Sequence, residues 1–113
     1  MEMMTVMGYD AMGVGNHEFD YGWEVFERQI TRVPFPVLCC NVRHLGARSR
    51  FCRPYTLLER NGVRLGVIGV MGSRSTHQRR TERLIEAGVT REQLDRLMSP
   101  IGLDIGARTP EET

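Results

Sequence analysis

The sequence predicts a small α/β fold, and three local patterns carry that prediction. The apolar run Val37–Leu38–Cys39–Cys40 is typical of a strand buried in a parallel sheet. Asn61–Gly62 lies between two strand-like segments, as in a β-hairpin. Charged segments with apolar helical spacing lie on both sides of these strands. At 113 residues and 12.9 kDa, the chain is long enough for one small domain.

The elements of the first half follow from apolar spacing and from glycine and proline. Met3 to Met7 form one helical turn that stops at Gly8, and Asp10 to Gly15 reads as a short buried strand that ends in a turn. A helix is predicted over about residues 21–32, since proline follows it. Residues 35–42 are predicted to form a second buried strand, and residues 43–53 a loop.

The hairpin is the most specific local pattern. Strands are predicted over residues 55–60 and 63–70, because Asn-Gly supplies the two positive φ angles that a type I′ turn requires.

The second half is charged and helical. A helix is predicted over residues 75–87 with Gly88 as its stop, and Thr90 to Gln93 match a capping box. Residues 100–107 suggest a strand end or a glycine loop. Thr109 to Glu112 match a helix start, yet the sequence ends at Thr113, so we expect a truncated chain.

Composition excludes several classes of function. The net charge is +1, and the fifteen cations, all arginine, are scattered, so no nucleic-acid partner is expected. No apolar run is long enough for a membrane span, and no signal peptide is recognisable, which makes a cytoplasmic location the default. Cys39, Cys40 and Cys52 fit neither a disulfide framework nor a paired zinc motif.

One dense group of polar residues follows the first predicted strand. Asn16 has an amide oxygen that can ligate a divalent cation, and His17 can transfer a proton or stabilise developing negative charge. Asp20 can hold the imidazole in one tautomer. The alternative is a polar turn in which the acidic residues cap the following helix, and spacing alone does not decide between them.

The stretch from Gly8 to Gly22, which contains GNHEFDYG, resembles the motif of calcineurin-like metallophosphoesterases, in particular the 5′-nucleotidase and UDP-sugar hydrolase branch. The likeness covers residues 1–70 and implies part of an α/β sandwich with a dinuclear centre of Mn, Zn or a similar divalent metal. It implies Asn16 as a metal ligand, His17 as a catalytic residue paired with Asp20, and a nucleotide or another phosphomonoester as substrate. Nucleotidases of this branch are often exported.

The sequence departs from that family in its metal ligands. The D-x-H, G-D and G-H-x-H motifs do not occur, and His44 and His77 lie in other contexts. One ligand cannot hold two hydrated cations. We therefore expect a fragment of a phosphoesterase that is inactive alone.

A second group of residues begins at Gly72, Ser73 and Arg74, which precede an arginine-rich helix and can present amides and a guanidinium to a phosphate. Residues 71–113, with IGLDIGARTPEE, resemble the end of the Rossmann-like domain of the XdhC/CoxI family. That resemblance implies that this part of the chain handles molybdopterin, with a molybdenum hydroxylase as partner. The implied binding site would also use the loop 102–108. Such proteins are cytosolic.

Two resemblances to unrelated families predict a chain made of two fragments, residues 1–70 and 71–113. The sequence is compatible with three hypotheses: a phosphoesterase fragment, a module for handling the molybdenum cofactor, and a chimeric chain without function.

Overall fold

A computed structural model describes residues 1–45 and 50–99, with the exception of the Arg74 side chain. The chain is a small α/β protein that divides into two compact units, Met1–Ser73 and Arg74–Thr113. None of the helices in the described ranges is long and apolar enough to cross a membrane.

The first unit begins with helix α1, Glu2–Val6, and strand β1, Met12–Gly13. A short 3-10 helix, His17–Phe19, leads into α2, Trp23–Ile30, and strand β2 follows at Val37–Leu38. Strands β3, Tyr55–Arg60, and β4, Val63–Ile68, complete the unit. The predicted α1 turn is confirmed, and Gly8 ends it with a φ of 73°.

Strands β1 and β2 pair in parallel, as the continuous apolar run predicts, with Met12 opposite Val37 and Gly13 opposite Leu38. The predicted strand over residues 35–42 was too long. Its ladder with β1 ends at Leu38, where the other edge of the strand forms a parallel bridge with Arg53 and the amide of Cys40 bonds to Gly69 instead of β1. The N–H of Cys39 donates to the Arg53 carbonyl at 2.8 Å, and that of Cys40 donates to the Gly69 carbonyl at 2.7 Å.

The hairpin β3–β4 is antiparallel and has the predicted turn. Arg60 pairs with Val63, and φ is 51° at Asn61 and 77° at Gly62. These two positive angles match the twist of the flanking strands.

Helix α2 covers the buried centre of the first unit with one apolar side. It is shorter than predicted because Gly22, with a φ of 86°, precedes it. Phe26 is fully buried, and its ring centre lies 4.9 Å from that of Phe19. The buried core cluster of this unit consists of Val14, Phe26, Phe35, Val37, Cys39 and Cys52.

The second unit contains α3, Arg74–Glu86, and α4, Arg91–Asp95. The predicted stop at Gly88 is confirmed. Gly88 has a φ of 93° and donates to the Ile85 carbonyl, while Val89 donates to that of Leu84, which together form a Schellman motif. The predicted capping box at Thr90 and Gln93 is also present. The features predicted over residues 100–107 and 109–112 lie outside the described residues.

Candidate functional site

The candidate site is the turn that follows β1. Val14, which is buried, donates its N–H to the Leu38 carbonyl at 3.0 Å and so anchors the start of the turn to β2. Gly15 then donates its N–H to Oε2 of Glu18 at 2.6 Å. This bond closes the turn and leaves the side chains of Asn16 and His17 exposed at the carboxyl end of β1.

His17 and Asp20 form the one polar pair of this turn for which the sequence predicted a role. Nδ1 of His17 lies 2.9 Å from Oδ2 of Asp20, across one turn of the 3-10 helix. The Asp20 carboxylate raises the pKa of His17 above its ordinary value, first through the hydrogen bond and then through its charge, and the charge of Glu18 adds to the rise. With Nδ1 directed at Asp20, Nε2 of the 78% exposed imidazole points away from the carboxylate.

Asn16 directly precedes the 3-10 helix in a helical conformation, and its side chain does not cap that helix. Its oxygen is the donor type that a divalent cation can use. Within residues 1–45 and 50–99, however, no three His, Cys, Asp or Glu side chains are grouped so that they could hold a metal ion. The described residues therefore do not fit a dinuclear metal centre.

Two other polar side chains near this region are engaged elsewhere. The His44 ring stacks on Trp23, with ring centres 4.3 Å apart and an angle of 24° between the planes. Asp10 forms an ion pair with Arg60 of the hairpin. Neither side chain belongs to a group of three or more His, Cys, Asp or Glu residues that could hold a metal ion in the part of the chain that the structure describes.

Sequence reasoning did not single out Asn41, which the structure shows in a defined role. Its Nδ2 donates to the Met71 carbonyl at 2.6 Å, and its Oδ1 accepts from the Met71 N–H at 2.9 Å. The bond joins positions thirty residues apart, so no local pattern could have revealed it. The one available signal was an asparagine placed directly after a buried apolar run.

The second predicted group is only partly described. Gly72 and Ser73 are exposed at the end of the first unit, and α3 begins at Arg74. The side chain of Arg74 and the predicted loop 102–108 lie outside the described residues. The structure thus places Gly72 and Ser73 and leaves their predicted role as a cofactor site untested.

Comparison with known proteins supports both resemblances. A sequence model of the XdhC Rossmann domain matches residues 54–113, more than half of the chain. The chain belongs to the XdhC Rossmann domain family. The match includes the antiparallel hairpin β3–β4 as well as the helices α3 and α4, and its last residues lie outside the described part of the chain.

This XdhC-family chain is also similar to curated 5′-nucleotidases. It is 40% identical to Protein UshA of Yersinia enterocolitica and 39% identical to the 5′-nucleotidase of Vibrio cholerae, in each case over 67 residues that make up 59% of this chain. The 5′-nucleotidase of Rattus norvegicus is 38% identical over 71 residues. The chain spans 12% of the length of each of these relatives.

The nucleotidase match and the XdhC match overlap, because their combined length exceeds that of the chain. The comparisons confirm that the chain is similar to both families that the sequence suggested.

Proposed function

We propose that residues 1–70 are a segment of a metal-dependent phosphoesterase of the 5′-nucleotidase type, part of that family's α/β sandwich, whose complete form hydrolyses a nucleotide or another phosphomonoester. The observation that carries this proposal is the exposed His17–Asp20 pair on the turn after β1. It belongs to a chain that is 39% identical over 67 residues to a protein named 5′-nucleotidase.

The geometry of the pair suits contact with a phosphoryl group. Asp20 binds Nδ1 and favours the charged imidazolium, so that Nε2–H is available to donate to a phosphoryl or leaving-group oxygen. The exposed side chain lets a substrate approach without displacing protein atoms.

Asn16 would contribute one ligand to a divalent metal, Mn, Zn or similar, in the complete enzyme. Since the described residues offer no group of further ligands, those ligands would have to come from other parts of a longer protein. We therefore expect the 113-residue chain to have negligible phosphoesterase activity.

A phosphate-release assay tests this proposal. The purified chain is incubated with a nucleoside monophosphate and Mn²⁺ or Zn²⁺, and His17→Ala serves as the matched variant. The expected result is no release above the metal-only background for either protein. Metal-dependent release that His17→Ala abolishes would contradict the proposed inactivity.

The family match over residues 54–113 favours a second candidate function. Residues 71–113 would belong to a module that handles the molybdenum cofactor for an enzyme of the molybdenum hydroxylase class. Gly72, Ser73 and Arg74 would bind molybdopterin or a nucleotide, with backbone amides and a guanidinium as the phosphate contacts.

A calorimetric titration of the chain with molybdopterin or a nucleotide tests this second function. Binding should weaken in Arg74→Ala and persist in Arg79→Ala, which removes an exposed arginine from the same helix. Binding that Arg74→Ala leaves unchanged would count against the assignment. If hydrolysis is absent as expected and no binding occurs either, the hypothesis of a chimeric chain without biochemical function of its own is favoured.

A further inference from the structure

Strand β4 uses only one of its two edges for pairing. Gly69, directly after the strand, donates its N–H to the Pro54 carbonyl at 3.2 Å and so continues the ladder with β3. Because peptide groups alternate in direction along a strand, those of the odd-numbered residues of β4 face β3. The even-numbered residues direct their N–H and C=O groups to the opposite edge. This outer edge of β4 consists of Arg64, Gly66 and Ile68.

The outer edge of β4 has no hydrogen-bond partner in residues 1–45 and 50–99. The hairpin is a sheet of two strands, and no other backbone hydrogen bond among the described residues reaches the outer edge. Strand β3, by contrast, is joined to the rest of the unit at both ends. Arg53, shortly before it, forms a parallel bridge with Leu38, and its last residue, Arg60, is ion-paired with Asp10. An unpaired edge such as that of β4 is a template for another strand.

The side chains of the hairpin do little to discourage such pairing. Directly opposite residues share a face, so Ile68, Leu57 and Tyr55 lie on one side of the hairpin, where they are 52%, 68% and 58% exposed. Proteins protect free edges with proline, bulges or charges. Strand β4 contains no proline and one charged residue, Arg64, and it pairs with β3 without a bulge. The hairpin thus offers free peptide groups next to an apolar face.

We propose that the outer edge of β4 pairs antiparallel with the same edge of a second copy of the chain, so that the two hairpins form one four-stranded sheet. A two-fold axis at Gly66 places this residue opposite its equivalent, and it places Arg64 opposite Ile68 of the second copy. Each of these pairs exchanges two N–H···O bonds. The register uses every free peptide group of the outer edge. A shift by two residues in either direction leaves one end of the edge without a strand residue opposite it.

The side chains favour a second copy over an arbitrary strand. Arg64 lies opposite Glu59 within its own hairpin, which balances its charge, and its aliphatic stem can cover Ile68 of the second copy. The two Arg64 side chains stay at opposite ends of the interface, so like charges do not meet. At the axis, Cδ2 of Leu57 lies 3.8 Å from the position that a Cβ would take on Gly66. Leu57 from each copy therefore covers the central glycine pair, as a self-complementary interface requires.

Light scattering coupled to size-exclusion chromatography, over a range of concentrations of the full chain, tests this proposal. The parent chain should show a monomer–dimer equilibrium. Gly66→Pro removes an outer-edge N–H that the hairpin itself does not use, and strand edges tolerate proline. It should weaken the dimer by about tenfold or more. Gly66→Ala is the matched control, because it keeps the N–H and its Cβ meets only Leu57 at an ordinary contact distance. Its dissociation constant should stay within about twofold of the parent value.

A second pair of variants tests the register without introducing proline. Ile68→Glu and Ile68→Arg remove the same apolar side chain, but they place opposite charges next to Arg64 of the second copy, at two symmetric positions. At low ionic strength the dimer of Ile68→Glu should be about tenfold tighter than that of Ile68→Arg. Added salt should reduce this difference.

The possible results separate the parts of the proposal. A parent chain that stays monomeric at every concentration would overturn it, and so would a dimer that folded Gly66→Pro leaves unchanged. Continued growth into larger assemblies would overturn the closed two-fold pairing. Equal dissociation constants for the two Ile68 variants would overturn the register at Gly66. If circular dichroism shows that Gly66→Pro does not fold, the two Ile68 variants decide.

Discussion

Oε2 of Glu18 accepts the backbone N–H of Gly15 at 2.6 Å, across the two residues that carry the candidate chemistry. The carboxylate is partly buried, whereas Asn16 and His17 between the two partners are exposed. Glu18 therefore closes the turn and leaves its neighbours accessible. Glu18 was not among the predicted catalytic residues, and this bond explains its place in the GNHEFDYG stretch by local structure.

Replacing Glu18 should loosen this turn. Glu18→Ala removes a charge-assisted hydrogen bond, and we expect the free energy of unfolding to fall by up to about 3 kcal/mol. Glu18→Gln retains an oxygen that can accept the Gly15 N–H and should cost less. Urea denaturation of the three proteins measures the difference.

The same two variants distinguish the effect of the hydrogen bond to Gly15 from the effect of the negative charge of Glu18. Because the Glu18 carboxylate adds to the rise in the pKa of His17, both variants should lower that pKa. Only Glu18→Ala should also change the amide signal of Gly15 strongly. Equal stability of Glu18→Ala and the parent chain would show that the bond does not hold the turn in solution.

Asp20→Asn should lower the pKa of His17 towards 6.5, because it removes the hydrogen-bonded carboxylate that is the largest cause of the rise. The folded-state pKa lies above the unfolded one, so protonation of His17 stabilises the fold. That stabilisation is fully present below pH 6.5 and is lost as the pH rises through the folded-state pKa. An NMR titration of the His17 ring gives the pKa directly.

Asp95→Asn is the control for this experiment, since it removes an exposed carboxylate from α4. It should leave the pKa of His17 unchanged. The difference in stability between the parent chain and Asp20→Asn should shrink as the pH rises above the folded-state pKa. A His17 pKa that stays the same in Asp20→Asn would refute the ion pair.

Local patterns predicted the elements whose determinants are close in sequence. The positive φ angles at Asn61 and Gly62, the helix end at Gly88 and the capping box at Thr90 all arise from residues within a few positions. The His17–Asp20 contact spans three residues and was predictable for the same reason. The parallel pairing of β1 with β2 followed from the apolar character of the second strand.

Contacts between distant parts of the chain were not predictable from the same patterns. The ladder of β1 with β2 ends at Leu38, where Gly69 accepts the amide of Cys40 and Arg53 bonds to the other edge of β2, and neither partner is marked in the local sequence. The Asn41–Met71 bond has the same long-range origin. The candidate site was therefore visible as a motif, whereas its surroundings required the structure.

Gly69→Ala should destabilise the first unit because the added Cβ would overlap the Leu38 carbonyl, a backbone atom that cannot move aside without disturbing β2. We expect a loss of about 1–3 kcal/mol in the free energy of unfolding. Gly66→Ala is the matched control in β4, since its Cβ would meet only Leu57 at 3.8 Å. If both variants unfold at the same denaturant concentration, the close approach at Gly69 is absent in solution.

The three cysteines should react at different rates with a small alkylating reagent. Cys39 is 1% exposed and Cys52 8% exposed, whereas Cys40 is only partly buried. Burial, with a smaller contribution from Cys39, raises the pKa of Cys52 to about 11, and the thiolate is the reactive form. Alkylation with iodoacetamide, followed by peptide mass spectrometry, should modify Cys40 first. All three should react alike in denaturant, and rapid modification of Cys52 in the folded chain would mean that the core around Phe26 is open to solvent.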